Sequence, residues 1–107
     1  MTERNKPYTY TVVVTETARE MLITHARFLA NVSTSAANRL IETFVEMTNS
    51  LAGMPERNPW LEHDAIQFQK YRKLLFEKHY LAIYELQDGI VHVTAVVDCR
   101  QDYGWLL

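Results

Sequence analysis

Residues 80–98 read YLAIYELQDGIVHVTAVVD. Two runs of β-branched, aromatic and aliphatic residues flank Asp88-Gly89, a pair that favours a tight hairpin turn because both of its residues tolerate positive φ. The stretch predicts two antiparallel strands. Just upstream, QFQKYRKLLF (67–76) is separated from YLAIYEL by EKH (77–79) and predicts a third antiparallel strand. Further back, MPERNPWLEHD (54–64) has two prolines and few periodic apolar residues, so it reads as a surface connection with Trp60 plugging the edge of the core.

Before that connection the period changes from two to 3.6. Thr17 followed by Glu20 reads as a capping box, and Ala18, Met21, Leu22, His25, Phe28, Leu29 and Val32 recur at helical spacing, predicting a helix to about Asn31. NVSTS (31–35) breaks the pattern, and either Ser33 or Ser35 can cap a second helix. Its stripe is Ala37, Leu40, Ile41, Phe44, Met47, Thr48 and Leu51, ended by Gly53 and Pro55. YTYTVVVT (8–15) alternates as a strand. The expected fold is α+β in the order β-α-α-β-β-β, an antiparallel-rich sheet with a two-helix hairpin packed on one face. Residues 1–107 read as one domain, since no repeat or linker divides them.

Composition narrows the function. Nearly half of the residues are apolar and only three are Gly and three Pro, which argues against disorder. Cys99 stands alone and no secretory or membrane-spanning run occurs, pointing to the cytoplasm. The net charge of −2 is unusual for a protein that neutralises many phosphates, although residues 66–80 hold four basic side chains against one acidic. The four histidines show no HExxH-type pairing and lie apart from Cys99, so no metal is implied. With three glycines, a phosphate-cradling loop or dinucleotide fingerprint can hardly be built, and no cofactor is expected.

The ordered set Y8TYTVVVT, SAANRLIETF, SLAGMPER, KYRKLLFEKHYLAIYEL, DGIVHVTAVVD and CRQD resembles the RelE/ParE superfamily of bacterial type II toxins across nearly the whole chain. The resemblance implies a small growth-inhibiting toxin held inactive by a cognate antitoxin, without settling the target. One branch cleaves mRNA on the ribosome as an mRNA interferase. The ParE branch, associated with plasmid stabilization, poisons DNA gyrase and is not known for nuclease chemistry.

The RNA-cleaving set comprises two basic residues on the second strand, an Arg early in the third, an Arg after the fourth and a Tyr near the end. Here Arg72 and Arg100 match by register, whereas the other positions fall on Leu74, Leu81 and Leu106, with Lys73 one step off and Tyr103 three residues early. If the chain is an RNase, the candidates are Arg72 and Arg100 as a phosphate clamp, with Tyr103 or His79 moving a proton. The incomplete set and the long helix hairpin instead favour the ParE branch, a binder rather than an enzyme.

In that reading Arg72, Lys73, Arg100 and Tyr103 form the surface facing the target, with Arg72 and Arg100 close together across the sheet. The tail is expected to serve twice. Trp105, Leu106 and Leu107 are too apolar to stand alone in water, so they should fold back on the domain and be covered by the antitoxin.

Overall fold

In the computed structural model, residues 10–62, 64 and 66–101 are described. The elements are β1 (Thr11–Val14), α1 (Glu16–Ala30), α2 (Thr34–Leu51), a 3-10 turn at Pro55–Arg57, β2 (Arg72–Phe76), β3 (Tyr80–Gln87) and β4 (Ile90–Asp98). The four strands form one sheet in the order β1-β4-β3-β2, with β1 parallel to β4 and the other pairs antiparallel. This is the expected β-α-α-β-β-β arrangement.

The Asp88-Gly89 turn has φ of 55° and 78°, as a hairpin of this hand requires. A second hairpin at Glu77–His79 joins β2 to β3 and places Glu77 and Lys78 at positive φ as well. Both helices pack on one sheet face, where Ala18, Leu22, Leu40, Phe44 and Met47 meet Phe76, Ala82, Tyr84, Val91, Val93 and Val96.

A second cluster lies on the opposite face, formed by Leu61, Leu81, Ile83, Ala95 and Val97 with Ile66 and Tyr71 against it. The two faces are reconciled by a β-bulge. Thr94 is the extra residue between the pairs Tyr84↔Val93 and Ile83↔Ala95, and its Oγ1 donates to the Ile83 carbonyl at 3.2 Å. The bulge shifts the alternation by one, so Val93 faces the helices while Ala95 faces away.

Several boundaries differ from expectation. The helix cap is Thr15, not Thr17: the Thr15 amide bonds the Val93 carbonyl at 3.0 Å, and its Oγ1 accepts from the Ala18 amide at 3.2 Å. Strand pairing fixes where the chain turns, and the cap follows from it. Ser33 caps α2 through the Ala36 amide at 3.1 Å. The third predicted strand is shortened to Arg72–Phe76, because Gln69 turns the chain at a φ of 53° and Tyr71 packs against the second cluster. Phe28 and Val32, placed on the buried stripe by periodicity, are 71% and 82% exposed. Among the described residues no helix is long and apolar enough to cross a membrane.

Candidate functional site

The last residue of β4, Asp98, pairs with Tyr80 at the start of β3. The adjoining β2–β3 turn sits against the first half of α2, where Arg39 Nε donates to Glu77 at 2.8 Å. Just past β4 the chain is pinned again, with the Cys99 amide on the His79 carbonyl at 2.8 Å and the Gln101 amide on the Asp98 carbonyl at 3.0 Å. Three parts of the fold therefore meet at this end of the sheet.

Arg100 projects from this corner with 62% of its side chain exposed, yet it is not free. Its Nε and Nη2 donate to the two Asp98 oxygens at 2.9 and 2.7 Å, and its own amide donates to Asp98 Oδ1 at 2.9 Å. Asp98 is 8% exposed and is the single buried charged residue among those described. The hydrogen bonds from Arg100 pull its carboxyl down to about 2 against the opposing effect of burial.

A pH dependence follows. The folded carboxyl titrates below the unfolded one, so its contribution is complete above about pH 4 and fades as the pH falls toward 2. With water screening the Arg100 side, the amount is about 1 kcal/mol. Urea midpoints measured between pH 5 and pH 2 should fall less steeply for Asp98→Asn than for the parent, and parallel curves would show that other carboxylates govern acid stability.

Tyr80 is buried beside this pair, its ring 4.8 Å from His79, 5.2 Å from His25 and 6.1 Å from Phe76. Burial first, and then the negative charges of Asp98 and Glu77, hold its phenolic proton more tightly than usual, with Arg100 opposing. Asp98, ionised and holding three hydrogen bonds, is poorly suited to move protons near neutrality, whereas His79, the proton-moving candidate, stands in the same corner against Tyr80.

Arg72 is elsewhere. It pairs with Tyr84, four residues along β3 from the Tyr80↔Asp98 pair and hence roughly 13 Å farther along the strand. The expected closeness of Arg72 and Arg100 is not found, because the hairpin at Glu77–His79 brings the end of β2 beside Tyr80 and carries its start away. Arg72 is also occupied, with Nη1 donating to the Asn58 carbonyl at 2.7 Å and the guanidinium 3.7 Å over the Trp60 ring.

Around Arg72 the whole connection is stapled to the sheet edge. Lys73 donates its amide to Pro59 at 3.0 Å, Leu61 its amide to Tyr71 at 2.7 Å, and Asn58 Nδ2 donates to the Tyr84 hydroxyl at 2.9 Å. The Tyr84 hydroxyl in turn donates to the Pro55 carbonyl. Lys73 pairs with Ile83 of the second cluster and so faces the side opposite Arg72. Tyr103, Trp105, Leu106 and Leu107 lie outside the described residues.

Asp98 is the member of this corner that no sequence motif singles out. Its spacing two residues before Arg100 is visible in the sequence, but its burial follows only from β3 lying alongside. On α1, Phe28 continues the line of Thr17, Met21 and Thr24, three of the residues lining a groove of about 370 Å³ with Glu20 and His25. His25 closes that groove inward by bonding the Val96 carbonyl through Nε2 at 3.0 Å.

A family model described as the ParE toxin of a type II toxin–antitoxin system, parDE, matches residues 12–103. Among solved structures, the chain is similar to one from the chromosomal ParDE system of P. aeruginosa, with TM-score 0.67 and 12% identity over 85% of this chain and 97% of that one. It is also similar to a chain of the RelBE2 toxin–antitoxin complex of Mycobacterium tuberculosis, with TM-score 0.56 and 24% identity over 84% and 98%. No curated protein matches by sequence.

Proposed function

The chain belongs to the ParE toxin family of type II toxin–antitoxin systems, and from that membership we propose that it arrests bacterial growth by binding DNA gyrase in the cytoplasm. The observation that favours binding over RNA cleavage is the separation of the two cations that match the RNA-cleaving set. Arg100 stands at the open corner, while Arg72 is held at the opposite end of β2 by Trp60 and Asn58. A ribose-phosphate cleavage site needs its charge-stabilising and proton-transferring groups around one phosphate. The target surface in this reading centres on Arg100, with Tyr103 beside it in sequence and Lys73 on the sheet face away from the helices.

A cognate antitoxin neutralises the toxin by covering apolar surface. Exposed Phe28 and Val32 and the groove along Thr17, Met21 and Thr24 support one contact area. Trp105, Leu106 and Leu107 supply a second, on the apolar character of the tail. The alternative target is mRNA on the ribosome, for which Arg100 and the nearby His79 would be the charge-stabilising and proton-moving groups.

Induced expression of the chain alone, with labelled thymidine and labelled methionine followed over the first minutes, separates the two targets. Thymidine incorporation is expected to stop first while translation continues. Earlier loss of methionine incorporation would overturn the gyrase reading in favour of RNA cleavage.

A further inference from the structure

An exposed arginine normally samples many rotamers, and ordering it on binding a partner costs conformational entropy. Arg100 is exposed but already ordered. Asp98 takes the side-on pair of donors, Nε and Nη2, at 2.9 and 2.7 Å, and also receives the Arg100 amide at 2.9 Å. Asp98 itself is fixed by its buried position at the end of β4 and by its strand pairing with Tyr80. A guanidinium has five N–H donors in a rigid plane, so this leaves Nη1 and the second hydrogen of Nη2 as an end-on fork aimed away from Asp98.

We propose that Asp98 is a positioning residue, which locks Arg100 side-on so that its end-on fork is presented to a carboxylate of the protein target. This rests on the reading that Arg100 faces gyrase. The planar, two-oxygen geometry of a carboxylate matches the fork, and the side-on Asp98 contact draws part of the positive charge inward, leaving a directional donor pair rather than a diffuse cationic patch. Asp98 touches nothing on the target. It acts by removing the rotamer search from Arg100.

The test uses full-length toxin, freed from its antitoxin and refolded, in a gyrase supercoiling assay, with thermal midpoints taken in parallel. Asp98→Asn keeps the size of the side chain and removes its charge, and it should raise the inhibitory concentration up to about 10-fold, the effect of releasing one long side chain from a fixed pose. Arg100→Lys keeps the charge but has no planar fork, and is expected to be weakened at least as much as Asp98→Asn. Arg100→Ala should be weaker still. The decisive variant is Asp98→Asn with Arg100→Ala. If Asp98 works through Arg100, the double variant inhibits no worse than Arg100→Ala alone, even though its thermal midpoint can be lower.

The outcomes separate cleanly. Full potency of Asp98→Asn together with loss in Arg100→Ala would overturn the positioning role while keeping Arg100 on the target surface. A further loss in the double variant would show that Asp98 acts on its own, which also overturns it. Full potency of Arg100→Ala would remove Arg100 from the target surface, and a parent chain without effect on gyrase would overturn the target assignment and the carboxylate with it.

Discussion

Replacing Leu40 by Ala is expected to lower the unfolding free energy by about 3 kcal/mol and the thermal midpoint by roughly 15 °C. Leu40 has no solvent exposure and belongs to the cluster where both helices meet the sheet, with Ala18, Leu22, Phe44 and Tyr84. Truncation removes the transfer energy of three carbons and leaves a void that neighbours on two layers cannot easily fill. Ile41, the next residue on the same helix, is the internal control. It is 37% exposed, so Ile41→Ala should cost only about 1 kcal/mol. Periodicity places both residues on one stripe, and equal losses in urea or thermal unfolding would mean that α2 is rotated relative to the sheet from the position described.

The second large effect is expected at Tyr84. Tyr84→Phe removes a single oxygen, but that oxygen donates to the Pro55 carbonyl and accepts from Asn58 Nδ2. Pro55 is fully buried, so its carbonyl would lose its partner where water cannot easily replace it, at a cost of about 2 kcal/mol. The damage should be local as well as global. Pro55–Arg57 begins the connection that carries Trp60 beneath the Arg72 guanidinium, so releasing it should change Trp fluorescence and open the 55–61 segment to proteases before the domain unfolds. Loss of stability without either local change would mean that Arg72 and the backbone bonds to Pro59 and Tyr71 hold the connection without Tyr84.

Arg72 illustrates how a site residue changes meaning between sequence and structure. By register it stands where an RNA-cleaving relative has a basic residue, and nothing in its neighbourhood KYRKLL shows that it is engaged. Its partners, Asn58 and Trp60, come from the preceding connection, whose path is set by the Tyr84 hydroxyl and two edge hydrogen bonds. A charge-removing substitution at Arg72 thus tests the loop as much as any target contact. Arg100 changes in the opposite direction. The two-residue spacing from Asp98 says nothing of burial, whereas the buried carboxylate fixes the Arg100 guanidinium from one side.

Local rules were enough to locate the hairpin at Asp88-Gly89, the full extent of β4, the break between the helices and the element order, because each depends on backbone preferences and side-chain period within a few residues. The ordered segments also identified the family that residues 12–103 match. Tertiary structure decided what depends on partners far along the chain. The bulge at Thr94 exchanges the faces of the last residues of β4, the hydrogen bond from the Thr15 amide to the Val93 carbonyl moves the first helix cap, and the packing of α1 against β4 leaves Phe28 in water. The same antiparallel register separates Arg72 from Arg100 and buries Asp98 beside Tyr80. Burial and proximity are properties of the assembled sheet, since a side chain's partner is set by the strand that lands beside it and not by its own sequence neighbours.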